Sequence, residues 1–194
     1  MKINLKINDS PVSVEAGTTI LEAAEQLDIH IPTLCHLKMD CLQIEHRSGS
    51  CRICVVEVKG RPNLAPACST PVAEGMEVHT NTLRAINARR TILDLLLSDH
   101  PKDCLICPKN LNCQLQALAQ ELGLHHLLYK GEQSTYNKDL SSNAIARDLD
   151  KCIMCRRCET ACNVIQTVGV LSGVGRGFEA VVAPAGLKPL VETE

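Results

Sequence analysis

The sequence predicts an α+β chain of small successive modules, and three observations predict it. Residues 1 to 80 alternate strand patterns around one capped helix, the periodicity turns helical near residue 83, and eleven of the twelve cysteines fall with one histidine into three sets of four. The strand signal begins with the polar–apolar alternation of Lys2 to Ile7. Asn8-Asp9-Ser10-Pro11 supplies turn chemistry and Val12-Ser-Val14 alternates again, which predicts a β-hairpin. Thr19 and Glu22 have capping-box spacing, and Ile20, Ala23, Ala24 and Leu27 recur on one helical face, so a helix is expected over 19–27. Val55 to Val58 and Met76 to Val78 read as further strands, with Lys59-Gly60-Arg61-Pro62 as the turn after the first. Strand, strand, helix and then strands is the order of a β-grasp module. A long helix follows over 83–98 on Leu83, Ile86, Ile92, Leu95 and Leu96, ending before His100-Pro101. Another runs over about 113–122 and stops at Gly123, an ordinary C-terminal signal. Lys130 to Ser142, rich in Ser, Asn and Gly, reads as a linker or long loop.

Composition narrows the chemistry. Three aromatic residues and no tryptophan leave core packing to Leu, Ile, Val and Ala, which suits modules stabilised by bound metal rather than by a large apolar core. A net charge of −2, without basic and aromatic residues interleaved, argues against nucleic acid as a partner. Arg84, Arg89 and Arg90 read as a solvated helix face. Apolar stretches such as Ile92 to Leu97 fall far short of the ~20 residues of a membrane helix. The N-terminus MKINLKINDS lacks the apolar stretch of a secretory signal, so a cytoplasmic protein with metal-bound thiolates is expected rather than a disulfide framework.

The first ligand set is Cys35, Cys51, Cys54 and Cys68. It is the plant-type four-thiolate arrangement for a 2Fe-2S cluster, except that 15 residues rather than four separate its first two members. Ser48-Gly49-Ser50 lets the backbone wrap closely and aim N–H groups at sulfur. Cys41 is a rival ligand and reads as a small buried residue. The second set, His100, Cys104, Cys107 and Cys113, suits a 4Fe-4S cluster with one imidazole, which leaves the cluster less negative and raises its potential. His30, His36, His46, His79, His125 and His126 read as surface or core residues. The third set, Cys152-x2-Cys155-x2-Cys158-x3-Cys162, is the bacterial ferredoxin run for a 4Fe-4S cluster. In two-cluster ferredoxins the fourth cysteine of such a run serves the neighbouring cluster, so Cys152, Cys155 and Cys158 lack an evident fourth ligand here. The simplest account is the front part of a longer polypeptide. Four-thiolate zinc usually uses two C-x2-C knuckles, and the first set has one, which argues against zinc there; at the second set zinc is an alternative on stoichiometry. The expected modules are a 2Fe-2S ferredoxin-like β-grasp domain at 1–80, a small helical His-ligated 4Fe-4S domain at 81–130, and the first half of a two-cluster 4Fe-4S ferredoxin-like domain at 143–194.

These three sets, with Lys151 to Cys162 and Gln166 to Phe178, closely resemble the N-terminal part of the catalytic subunit of NAD(P)-linked, electron-bifurcating iron-only hydrogenases. The resemblance covers essentially the whole chain. Its first two modules are shared with the large peripheral subunit of complex I, the diaphorase subunit of NAD-linked nickel–iron hydrogenases and some formate dehydrogenases. The resemblance implies an oxidoreductase complex in which this segment carries electrons only, between a flavin and NAD(P)-binding partner subunit and a hydrogen-activating centre beyond residue 194. A small 2Fe-2S subunit and soluble ferredoxin are the other partners it implies. No Gly-rich dinucleotide fingerprint is present, so nicotinamide and flavin are expected on the partner. A complex I, diaphorase or formate dehydrogenase relay and a zinc-stabilised scaffold are the competing readings.

Overall fold

The computed structural model describes residues 1–39, 41, 44–46, 49–132 and 134–193. Contacts divide them into two units that interleave along the chain: residues 1–36, 47–93 and 114–125 in one, and 37–46, 94–113 and 126–194 in the other.

In the first unit, β1 (Lys2–Ile7) and β2 (Ser10–Glu15) form the expected hairpin. Its turn is tighter than the sequence suggests: Asn8 and Asp9 both take positive φ (49° and 68°), the two-residue turn whose twist matches that of paired strands. Ser10 and Pro11 therefore belong to β2, and Pro11 is tolerated there because β2 is an edge strand. β5 (Val55–Val58), β6 (Ala65–Pro66) and β7 (Glu77–His79) complete a sheet of order β2-β1-β7-β5-β6. β1 runs parallel to β7, and β5 runs antiparallel to β7 and β6. A parallel pair needs a crossover. Here the crossover carries α1 (Ile20–Glu25), whose Ile20, Leu21, Ala23 and Ala24 are buried against Leu5, Ile7, Val56, Val58 and Val78 of the sheet. One helix held by a mixed sheet is the β-grasp arrangement. The capping box forms as expected, with the Glu22 N–H donating to Thr19 Oγ1 (3.3 Å) and the Thr19 N–H donating to Glu22 Oε2 (2.7 Å).

The long helix, α2 (Leu83–Asp99), departs from the expected face. Leu83 is 80% exposed and Leu95 46%, whereas the buried positions are Ala85, Arg89, Leu93, Asp94 and Ser98. The spacing is helical, but three of the five are polar, and a search for apolar periodicity misses them. The expected solvated arginine face is corrected accordingly. Only Arg89 leaves it, at 2% exposed; Arg84 and Arg90 are exposed, although Arg90 Nε donates to the Leu122 carbonyl just past the end of α3 (Gln114–Glu121) (2.7 Å).

Within the second unit, Asp94 is buried and accepts from the Leu128 N–H (3.0 Å). The segment read as a linker is irregular, yet it is pinned. Asp99 accepts from the Ser134 N–H, Tyr136 Oη donates to the Glu179 carbonyl, and Arg147 grips Asp139 through Nε (3.0 Å) and Nη2 (2.6 Å). The Ser141 hydroxyl and then Arg147 hold the Asp139 carboxyl well below its ordinary range. Two hairpins were not evident from sequence: β3 (Leu37–Met39) with β4 (Ile44–His46), and β8 (Ser172–Val174) with β9 (Val181–Ala183). Gly175 sits beside β8 at φ 77°, where a Cβ would come within 2.3 Å of the Glu179 carbonyl oxygen, so glycine alone fits. Cys41, expected to be buried, is exposed; it lies in the β3–β4 excursion.

Thr19→Ala removes the cap of α1 and should destabilise the protein by about 1 kcal/mol, read as a lowered melting temperature.

Candidate iron–sulfur cluster sites

The first set is assembled by the start of α1. A helix begins with N–H groups that have no partner inside it. Here the Ile20 N–H donates to the Thr70 carbonyl (3.0 Å) and the Leu21 N–H to the Ala67 carbonyl (3.0 Å), so the loop bearing Cys68 is tied to the helix at both shoulders. Ala67 in turn donates to the Cys54 carbonyl (3.1 Å), which binds that loop to the Cys51-Arg-Ile-Cys54 turn. Arg52 takes φ 59°, and the turn aims the Ile53 N–H at Cys51 Sγ (3.5 Å) while the Cys35 N–H approaches the same sulfur (3.4 Å). Gly49, at φ 60°, packs against Ser69; Ser48 lies outside the described residues.

All four thiols are buried and act on one another. The Cys54 thiol is lowered to about 7, chiefly because Cys68 donates to it, against the opposing effect of burial. Cys51 and Cys68 are pushed up, Cys51 first by its hydrogen bond with Cys35 and then by burial, Cys68 by its bonds with Cys35 and Cys54. Four soft donors sealed from water, sharing protons and met by main-chain N–H groups, fit a thiolate-held cluster whose binding would release those protons. Among the described residues no three His, Cys, Asp or Glu side chains close tightly enough to hold one metal ion. A bridged cluster spreads its ligands over several metal atoms, so the donor set and its burial are the relevant test of fit.

The second unit carries both other sets. His100 Nδ1 is buried without a hydrogen-bond partner, a costly condition for an imidazole unless something else occupies it. Burial first, and Lys151 next, lower the His100 pKa, so the ring is held in the neutral form a metal needs. Cys104 opens a single helical turn (Cys104–Ile106) that Cys107 closes by donating to the Cys104 carbonyl (3.2 Å). Cys104 is exposed, and Cys107 and Cys113 are half-buried.

Along the third set Met154 (φ 51°) and Arg156 (φ 61°) are left-handed, winding the chain around the space between the cysteines before α4 (Arg157–Thr160) begins. Burial, followed by the charges of Cys155 and Cys152, raises the Cys158 thiol. Cys162 lies in the wide helical turn Ala161–Ile165 that extends α4. Two residues unremarkable in sequence organise this unit. Lys151, which precedes Cys152, pairs with Asp103, which precedes Cys104 (3.4 Å), so the second and third sets begin side by side. His46 of β4 is buried and satisfied at both nitrogens, Nε2 facing the Cys155 carbonyl (2.9 Å) and Nδ1 the Thr160 hydroxyl. It is a core histidine, as expected, but it is buried against the Cys152–Cys162 segment. No sequence signal links residues so far apart.

A model described as a 2Fe-2S iron-sulfur cluster binding domain matches residues 1–83, and one described as the NADH-ubiquinone oxidoreductase-G iron-sulfur binding region matches 89–127. The chain is 58% identical over 98% of its length to the NADP-reducing hydrogenase subunit HndD of Solidesulfovibrio fructosivorans, covering 33% of that protein. It is 37% identical over 93% of its length to an NADH-quinone oxidoreductase subunit of Rhizobium meliloti, covering 21% of it. The chain is an iron–sulfur electron-relay segment homologous to these subunits. Its cofactors are 2Fe-2S and 4Fe-4S clusters. Its fold matches a chain in the crystal structure of the H2-reduced NAD+-reducing [NiFe]-hydrogenase with a TM-score of 0.83 at 27% identity, over 94% of this chain and 75% of that one. The segment thus spans a fifth to a third of the length of the curated relatives it matches.

His46→Ala leaves the Cys155 carbonyl and the Thr160 hydroxyl without their partner and should cost the second unit about 1–3 kcal/mol. Faster amide hydrogen exchange across residues 155–160, with residues 1–36 unaffected, is the expected reading.

Proposed function

We propose that this segment relays electrons, one at a time, between a flavin and NAD(P)-binding partner subunit and a hydrogen-activating centre outside residues 1–194, as part of an NAD(P)-linked iron-only hydrogenase. The observation that carries the relay is the Asp103–Lys151 ion pair, which sets the start of the His100 set against the start of the Cys152 run. Short steps between neighbouring centres are what serial electron transfer requires. The 58% identity to the hydrogenase subunit, against 37% to the quinone oxidoreductase subunit, favours the hydrogenase over a complex I-type relay. A small 2Fe-2S subunit and soluble ferredoxin are the further partners of this reading, and the cytoplasm its compartment. Among the described residues no helix is long and apolar enough to cross a membrane.

In this reading residues 1–80 hold a 2Fe-2S cluster through Cys35, Cys51, Cys54 and Cys68. Residues 81–130 hold a 4Fe-4S cluster through His100, Cys104, Cys107 and Cys113. Residues 143–194 contribute Cys152, Cys155 and Cys158 to one 4Fe-4S cluster and Cys162 to a neighbouring one. Bound clusters supply the one-electron chemistry. The protein supplies burial, the N–H groups of Cys35 and Ile53 at Cys51, and a neutral His100 ring. Iron and acid-labile sulfide analysis of anaerobically purified protein tests the reading; zinc without sulfide would replace it with a structural scaffold.

Cys54→Ala should abolish the 2Fe-2S signal, and Cys41→Ala should leave it intact, as read by EPR and visible absorption. The opposite result would assign Cys41 to the cluster. His100→Cys should keep a 4Fe-4S centre but shift it to lower potential, since a thiolate adds negative charge where imidazole is neutral. An unchanged potential in an EPR redox titration would remove His100 from the iron.

A further inference from the structure

Arg89 is the most deeply buried cation among the described residues, and the relay as proposed does not use it. It sits 2% exposed on α2, between Ala85 and Leu93, themselves wholly buried. Its guanidinium donates to the Val55 carbonyl through Nε (3.2 Å) and Nη2 (2.8 Å), and to the Thr80 carbonyl through Nη2 (2.8 Å). All three bonds end on neutral main-chain oxygens. Burying a charge is costly unless an opposite charge answers it. The opposing charges acting on Arg89 are, in order of effect, Cys54 and Glu121, and burial is the force pulling its pKa down. Glu121 is a partly exposed side chain that also meets His30. Cys54, by contrast, is buried and immediately precedes Val55, the residue the guanidinium grips.

We propose that Arg89 is the built-in counter-charge of the first cluster, a fixed cation sealed behind its Cys54 side that raises the cluster's reduction potential. The inference rests on the 2Fe-2S reading of Cys35, Cys51, Cys54 and Cys68. A four-thiolate cluster is anionic when oxidised and gains one further negative charge when an electron enters. A guanidinium stays protonated throughout, so it favours the reduced form, and its burial keeps water and salt from screening it. An arginine that only braced Val55 and Thr80 would stabilise the fold without moving the potential.

The test is an EPR redox titration of the 2Fe-2S centre in the whole chain carrying Arg89→Gln, Arg89→Met or Arg89→Lys, with Arg84→Gln on the exposed side of the same helix as control. The two neutral variants should titrate at lower potential, Arg89→Lys close to the wild type, and Arg84→Gln unchanged. Neutral variants with the wild-type potential overturn the proposal. Should they fail to hold a cluster, Arg89→Lys decides: a cluster at the wild-type potential supports the counter-charge, while a lowered potential or no cluster leaves Arg89 a brace and overturns it. The absence of a 2Fe-2S signal from the unmodified chain would instead sink the cluster reading beneath it.

Discussion

The unpaired N–H groups that open α1 are the constraint from which the first site follows. A helix start must find acceptors, and here they are the carbonyls of Ala67 and Thr70, one on each side of Cys68. Thr19 takes care of the third N–H, that of Glu22, through the capping box. The helix therefore cannot seat itself on the sheet without drawing the Cys68 loop in, and Ala67 carries that grip onward to Cys54. The parallel pairing of β1 with β7 then closes the module, with Asn8 at the tip of the hairpin and Thr80 beyond β7 exchanging hydrogen bonds (2.7 and 2.9 Å). Thr80 passes its carbonyl to Arg89, and Arg89 reaches back to Val55. The ligand turn is thus fastened both from the helix under the sheet and from the helix that follows it.

The second unit solves a different problem. Among the described residues it has few regular elements, and its buried apolar run is short, Val181 to Pro184, so local hydrogen bonds carry what a larger core would otherwise supply. Carboxylates do much of this. Asp94, Asp99, Asp139 and Asp150 each accept main-chain N–H groups from segments that have no strand or helix to satisfy them. That is the pattern expected of small modules that await a bound cluster for the rest of their stability.

Much of this was legible in the sequence where the signal is local. The hairpin, the capped helix, the long helix and the grouping of Cys35, Cys51, Cys54 and Cys68 all rest on short-range patterns. What escaped was long-range or polar. Arg89 occupies the helical position four after Ala85 and four before Leu93, a core position by spacing, but a cation there reads as surface until the carbonyls it serves are known. His46 and Lys151 matter through partners 109 and 48 residues away, and no periodicity encodes that. Cys41 was misplaced because small size suggests burial, whereas its position in the β3–β4 excursion leaves it in solvent.

That excursion is what lengthens the gap between Cys35 and Cys51, and it carries His46 to a run of residues made much later in the chain. The ring meets its two partners at separations of 109 and 114 residues. Closing so long a loop is slow compared with pairing neighbours along the chain. During synthesis His46 therefore keeps water as its partner until the Cys155–Thr160 stretch has been made. The order in which these parts mature is in this way written into the topology: the α1 module can finish before the Cys155–Thr160 stretch exists, and that stretch is then met by a histidine made more than a hundred residues earlier.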